Sequence, residues 1–192
     1  MMVKKLMPVI VLTVICLVAT ATLVGTYGLT KPVIEKNNAL RADRARVEVL
    51  EISGNQGFES YSYDEIKKMA KGKLPEGTVE VYVAKNNLGM VITTEDRGFG
   101  GSLLVMTGID KKGRIRGIKV VDHNETPGLG TKAMTKDFFS PYLFKKEIDN
   151  RSEASDDVRV DGITGATVTS EAVYRAVVKA LTVYELIGGI QD

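Results

Sequence analysis

Cysteine and histidine are all but missing from this chain of 192 residues, which has one of each. Cys16 has no second thiol to pair with, so an intrachain disulfide is excluded, as are a four-cysteine iron–sulfur site and a C-x-x-C-H haem attachment. His123 alone cannot supply the ligands of an ordinary zinc site, and no H-E-x-x-H is present. Any redox chemistry must therefore reside in an organic cofactor. An excess of positive charge is missing too. Beyond Lys31 lie all 24 acidic residues and 23 of the 26 basic ones, so that part is near −1 and gives no case for nucleic acid. The Gly-Lys-Ser/Thr ending of a P-loop is absent, as are internal repeats and low-complexity tracts.

Charge is also absent from Leu6 to Leu29, between Lys5 and Lys31. As a helix, these 24 residues would extend about 36 Å, enough to cross a hydrocarbon core of roughly 30 Å. Ala19-Thr20-Ala21 has small residues suited to signal cleavage, but the apolar run outlasts a signal core, which favours an uncleaved anchor. Lys4 and Lys5 on one side oppose Lys31, Lys36, Arg41, Arg44 and Arg46 on the other, so charge leaves the orientation open. The expected organisation is an N-terminal segment with the membrane helix over residues 1–31, a helical connector over 32–57 and a globular domain over 58–192. Pro32 is expected to break the membrane helix from the connector.

Within the domain, Ser62 with Asp64 and Glu65 predicts a capped helix over Tyr63–Lys71. Period-two alternation of Val79, Val81 and Val83 predicts a strand at Thr78–Ala84. Further strands are expected at Met90–Thr94, Ser102–Ile109 and Arg114–Asp122, the last two joined by the turn Asp110-Lys111-Lys112-Gly113. Lys136–Phe144 reads as a short helix or loop packed through Phe138, Phe139, Tyr142 and Phe144, and residues 151–157 as an exposed polar stretch. A last amphipathic helix is expected over Ser170–Leu186, its apolar face built from Ala172, Val173, Ala176, Val177, Ala180, Leu181 and Tyr184. The fold class is α+β: an N-terminal transmembrane helix, then a mainly antiparallel meandering sheet with flanking helices.

Three stretches carry chemistry. Asp161–Ser170 reads D-G-I-T-G-A-T-V-T-S; Gly162 and Gly165 free the backbone, and Thr164, Thr167, Thr169 and Ser170 bring hydroxyls to a helix start, where an anion such as phosphate is favoured. Plain helix capping by the same hydroxyls is the competing reading. Gly98-Phe99-Gly100-Gly101 suits either a simple turn or a backbone lying close to a flat ring. His123-Asn124-Glu125-Thr126-Pro127-Gly128-Leu129-Gly130 follows a strand, and its Pro127-Gly128 pair suits a type II turn. No base is placed beside Thr167 by any motif, so a threonine hydrolase has little support.

The D-G-I-T-G-A-T run resembles the flavinylation motif of the FMN-binding domains in the G subunit of the Rnf complex and the C subunit of the sodium-pumping NADH:quinone reductase. H-N-E-T-P-G-L-G is similar to a loop walling the flavin in these domains, and together the matches run from about Gly98 to Leu186. The resemblance implies FMN bound covalently by a phosphoester to Thr167. The surrounding site would comprise Asp161, Thr164, Gly165, Ala166 and Thr169, then His123, Glu125, Thr126, Pro127, Gly128, Leu129 and Gly130, with Gly98, Gly100 and Gly101. It further implies an electron-carrier subunit of an ion-translocating ferredoxin:NAD+ oxidoreductase rather than a stand-alone enzyme. Its partners would be the other membrane subunits and, for maturation, a flavin transferase. The domain would sit on the extracytoplasmic side of the cell membrane, with the N-terminus in the cytoplasm. The modest length leans toward the Rnf subunit over the quinone-reductase one; a non-redox, membrane-anchored domain gripping a phosphate-bearing ligand is the alternative from another class.

Overall fold

The computed structural model describes residues 2–51, 57–85, 87–144 and 162–190. The expected polar stretch at 151–157, Asp161 and most of the glycine-rich break at 53–57 lie outside them. By contacts the chain divides into two compact units, Met1–Asp43 and Arg44–Asp192.

Helix α1 runs over Met2–Leu50 with Pro8 and Pro32 inside it. The break expected at Pro32 does not occur. A proline removes one N–H and crowds one carbonyl, but its fixed φ is itself helical, so a helix well supported on both sides can continue. The apolar part is long enough to cross a membrane. Its threonines bond back into their own helix: Thr13 to the Val9 carbonyl at 2.9 Å, Thr20 to Cys16 at 2.8 Å and Thr26 to Thr22 at 2.8 Å. These bonds hide hydroxyls that hydrocarbon could not satisfy.

In the second unit, β1 (Phe58–Tyr61), β2 (Thr78–Ala84), β3 (Gly89–Arg97), β4 (Ser102–Asp110) and β5 (Ile115–His123) form one antiparallel sheet in sequence order. The meander matches expectation, but β1 does not: its four residues give too short an alternation to stand out. Val79, grouped with Val81 and Val83 in the alternation of β2, is 40% exposed. The register shifts between Thr78 and Glu80, and a bulge there turns Val79 outward. Helix α2 (Tyr63–Met69) begins at the Ser62 cap that the sequence suggests, and Glu65 closes it into a capping box.

The sheet has two covered faces. On one, α4 (Thr167–Leu186) lays Ala172, Val173, Ala176, Val177, Ala180 and Leu181 over β3 and β4, joined by Phe138, Phe139 and Tyr142. Phe138 and Phe139 belong to α3 (Lys136–Phe139), and Tyr142 to a following 3-10 turn. Phe144, expected to pack, is 56% exposed, at a positive φ of 64° beyond the last turn. Tyr184 is only partly buried, and Val183 takes the core position instead. On the other face, the last turns of α1 set Ala45, Val49 and Leu50 on Ala84, Val91 and Met106. The cross-strand pair Gly108 and Gly117 makes this approach possible. A Cβ on Gly117 would lie 2.7 Å from the Val49 carbonyl oxygen, and one on Gly108 would overlap it.

Candidate functional site

Three loops meet at one end of the sheet. Gly98–Gly101 joins β3 to β4 as a tight turn closed by the Gly98 N–H on the Gly101 carbonyl at 2.8 Å. Residues 124–130 leave β5 and close a second turn, the Leu129 N–H donating to the Thr126 carbonyl at 3.2 Å. Gly128 at φ 77° occupies its third position, as a type II turn after Pro127 requires. The third loop, Gly162–Ala166, leads into α4. It carries Gly165 at φ 82°, and its Ala166 N–H donates to the Ile163 carbonyl at 2.7 Å.

Helix α4 begins at Thr167, three residues earlier than the periodicity of its apolar face indicates. Ala166 is the N-cap residue, and among the described residues no side chain caps the helix. The Ser170 hydroxyl donates to the Ala166 carbonyl at 3.0 Å and accepts the Ile163 N–H at 3.2 Å. The Thr169 hydroxyl donates to Glu125 Oε2 at 2.7 Å. The capping reading is therefore not what the hydroxyls do. The first-turn N–H groups have no carbonyl partner within a helix, so this start retains the donors and the partial positive charge that attract an anion. Thr167 itself is exposed at the first helical position, beside exposed Thr164 and Gly165.

Glu125 ties the loops together. It is 5% exposed, and its Oε1 accepts the Gly100 N–H at 3.0 Å while Oε2 holds Thr169. Two of the candidate glycines, one from the turn read as lying close to a flat ring and one from the 123–130 loop, serve this carboxylate. A Cβ on Gly98 would overlap Oε1, and one on Gly130 would lie 2.6 Å from Oε2. Gly100 lies against the Asn124 carbonyl, which a Cβ would also overlap. Gly101, at φ 130°, and Gly128 face open space. His123 Nδ1 accepts the Glu125 N–H at 3.2 Å and so shapes the loop from within. Thr126, Pro127 and Leu129 are exposed, and Leu129 Cδ1 would stand 3.2 Å from a Cβ on Gly165. Phe99, Leu129 and Val168 are exposed apolar side chains, at 76%, 42% and 49%. Phe99 and Val168 stand beside the candidate residues in sequence yet carry no motif signal, because an apolar residue in a glycine loop or a helix start has no chemistry of its own to flag it.

The rim is braced by charge. Asp96 accepts from Arg175 Nε at 3.1 Å and pairs with Lys179 at 2.9 Å. Burial pushes its pKa up, but these donors, with the Arg97 N–H, outweigh that and hold the carboxyl below its ordinary range. Arg175 also donates to the Arg97 carbonyl at 3.3 Å, next to the glycine turn.

A phosphorylated planar cofactor fits this chemistry: an uncapped helix start for the phosphate, a hydroxyl in the open beside it, and apolar side chains left to solvent close by. Comparison with known proteins points the same way. Residues 98–182 match the model of the FMN-binding domain family. The chain is 34% identical to the G subunit of the Na(+)-translocating ferredoxin:NAD(+) oxidoreductase complex of Acetobacterium woodii, covering 92% of this chain and 89% of that one. It is 28% identical to the G subunit of the proton-translocating ferredoxin:NAD(+) oxidoreductase complex of Clostridium ljungdahlii, over 88% and 86%. Among solved structures, Shewanella oneidensis NqrC superposes with a TM-score of 0.57 at 16% identity, over 79% of this chain and 96% of that one, which speaks for the fold.

Proposed function

We propose, because this chain belongs to the G subunits of ion-translocating ferredoxin:NAD(+) oxidoreductase complexes, that it is a membrane-anchored electron-transfer subunit carrying FMN. The observation that carries the cofactor site is Thr167, an exposed hydroxyl on the first residue of a helix that no side chain caps among the described residues. Thr167 Oγ serves as a covalent tether. It forms the ester bond to the FMN phosphorus as the pyrophosphate bond of FAD breaks, AMP departs and the hydroxyl proton is released. A separate flavin transferase performs that step, and Asp161 helps it recognise the segment. Once attached, the phosphate would be held by the first-turn N–H groups of α4, with the Thr164–Ala166 turn beside it, and the 123–130 and 98–101 loops would wall the ring. The flavin supplies one- and two-electron chemistry, while the protein supplies position.

Covalent attachment suits an extracytoplasmic domain, where free cofactor is lost by diffusion. The domain accordingly stands outside the cytoplasm, with the N-terminus inside and α1 spanning the membrane beside the other subunits of the complex. The discriminating experiment is intact-mass analysis after co-expression with a flavin transferase. Wild-type protein is expected to gain the mass of one FMN on the peptide containing Thr167 and to fluoresce in a denaturing gel. Thr167→Val should fold, lack the mass and be colourless. An FMN adduct on Thr167→Val would sink the tether assignment.

A further inference from the structure

We propose that Glu125 is a positioning residue: a buried strut that locks the Gly98–Gly101 turn to the first turn of α4 and thereby presents Thr167 to the transferase in one fixed frame. The proposal rests on the flavin-carrying reading. Each carboxylate oxygen serves a different loop, Oε1 taking the Gly100 N–H at 3.0 Å and Oε2 the Thr169 hydroxyl at 2.7 Å. Thr169 stands two residues after Thr167, so the strut reaches the helix within a turn of the hydroxyl that would be modified. Glu125 and Thr169 are 5% and 1% exposed, and among the described residues Glu125 makes no ion pair. A buried carboxylate without a counter-charge is an expensive way to hold two loops, so its placement argues for geometry over bulk stability. The helix start supplies the partial positive charge that makes it tolerable.

The surroundings are cut to this side chain. Gly98 and Gly130 leave out the Cβ atoms that would strike the two oxygens, and Gly100 leaves out the one that would strike the Asn124 carbonyl. Two segments far apart in sequence, the 98–100 turn and the start of α4, therefore converge on one carboxylate of the 124–130 loop. Its two oxygens are already engaged and shielded from solvent, which argues against a role as the base that deprotonates Thr167. It acts through Thr169 and Gly100.

The test uses the full chain in detergent, first free of flavin and then with purified transferase and FAD. In flavin-free protein, Glu125→Ala should raise hydrogen exchange together in peptides covering 98–104 and 163–172 and leave β2 unchanged. With transferase, its initial labelling rate should fall by about tenfold or more, as expected when a reacting group loses its fixed orientation. Glu125→Gln keeps the length and one acceptor and should recover most of both properties. Thr169→Val removes only one end of the strut. It should slow labelling measurably, and it decides the matter should Glu125→Ala lose its cooperative melt. Labelling at the wild-type rate in Thr169→Val and in folded Glu125→Ala would overturn the strut while leaving the flavin reading intact. A wild-type chain that takes no label would overturn both.

Discussion

A methyl group at Gly98 would have nowhere to go. Its position is taken by Glu125 Oε1, and Leu103 Cδ2 would lie 2.9 Å away. Overpacking of this kind costs about 1–3 kcal/mol. Gly98→Ala should therefore lower the unfolding free energy from urea melts by that amount, and the loss should shrink in a Glu125→Ala background, where the carboxylate is gone. A double-mutant cycle reads the coupling directly; additive effects would mean that some other contact sets the cost. The residue scale also shows what sequence can carry. Ser62 announces itself as a cap because the acidic residues that follow, Glu65 of its capping box among them, fall within one helical turn. Thr169 gives no such signal. It reads as a hydroxyl facing an anion, yet it is buried and bonded to a carboxylate 44 positions away. Nothing local distinguishes a threonine aimed at solvent from one aimed at a remote acid, and Thr167, two places earlier, is the exposed one.

Among the elements, β2 to β5 are legible because alternation and glycine or asparagine turns are local properties, and Asn87 and Gly113 do adopt positive φ, 53° and 76°. The outward turn of Val79 is not, since a bulge depends on how the partner strand registers. The start of α4 is hidden for a related reason: its first turn is held by Glu125 and by the 162–166 loop, not by an apolar stripe. Farther along, α4 is clamped to the end of β3 by Asp96, whose two cations come from successive turns of the helix. The folded carboxyl titrates below its unfolded value, so the unfolded chain binds the proton first as pH falls. The clamp is therefore fully stabilising above the ordinary carboxylate range and is lost as pH drops through the folded value. Asp96→Asn should cost about 1 kcal/mol at pH 7. At acid pH, below the folded value, the two proteins should converge. Urea melts at both pH values check this, and a difference that persists in acid would show that shape rather than charge makes the clamp.

For the whole molecule, the end of α1 matters as much as its apolar run. Residues 44–50 belong to the compact second unit, although they continue the helix that carries the membrane span. The sequence suggests a connector reaching to residue 57, because charged residues such as Arg41, Arg44 and Arg46 resemble a solvated linker. In the structure Arg46 is 7% exposed with its guanidinium 3.6 Å from the Tyr82 ring centroid, and Val49 and Leu50 are core residues. Glu48 and Glu51 add ion pairs to Lys119 and Arg116 on β5. Burying Val49, Leu50 and Ala45 contributes about 5 kcal/mol, a large share of the roughly 5–15 kcal/mol that holds a domain folded. A fragment beginning at Arg44 should thus melt cooperatively and stay monomeric. One beginning at Phe58 should expose Val91 and Met106, melt well below it and aggregate. Circular dichroism melts with size-exclusion chromatography compare the two. Equal melting temperatures would mean that the sheet needs no cover on that face. The Gly108–Gly117 pair, shaped to admit the Val49 carbonyl, argues that it does.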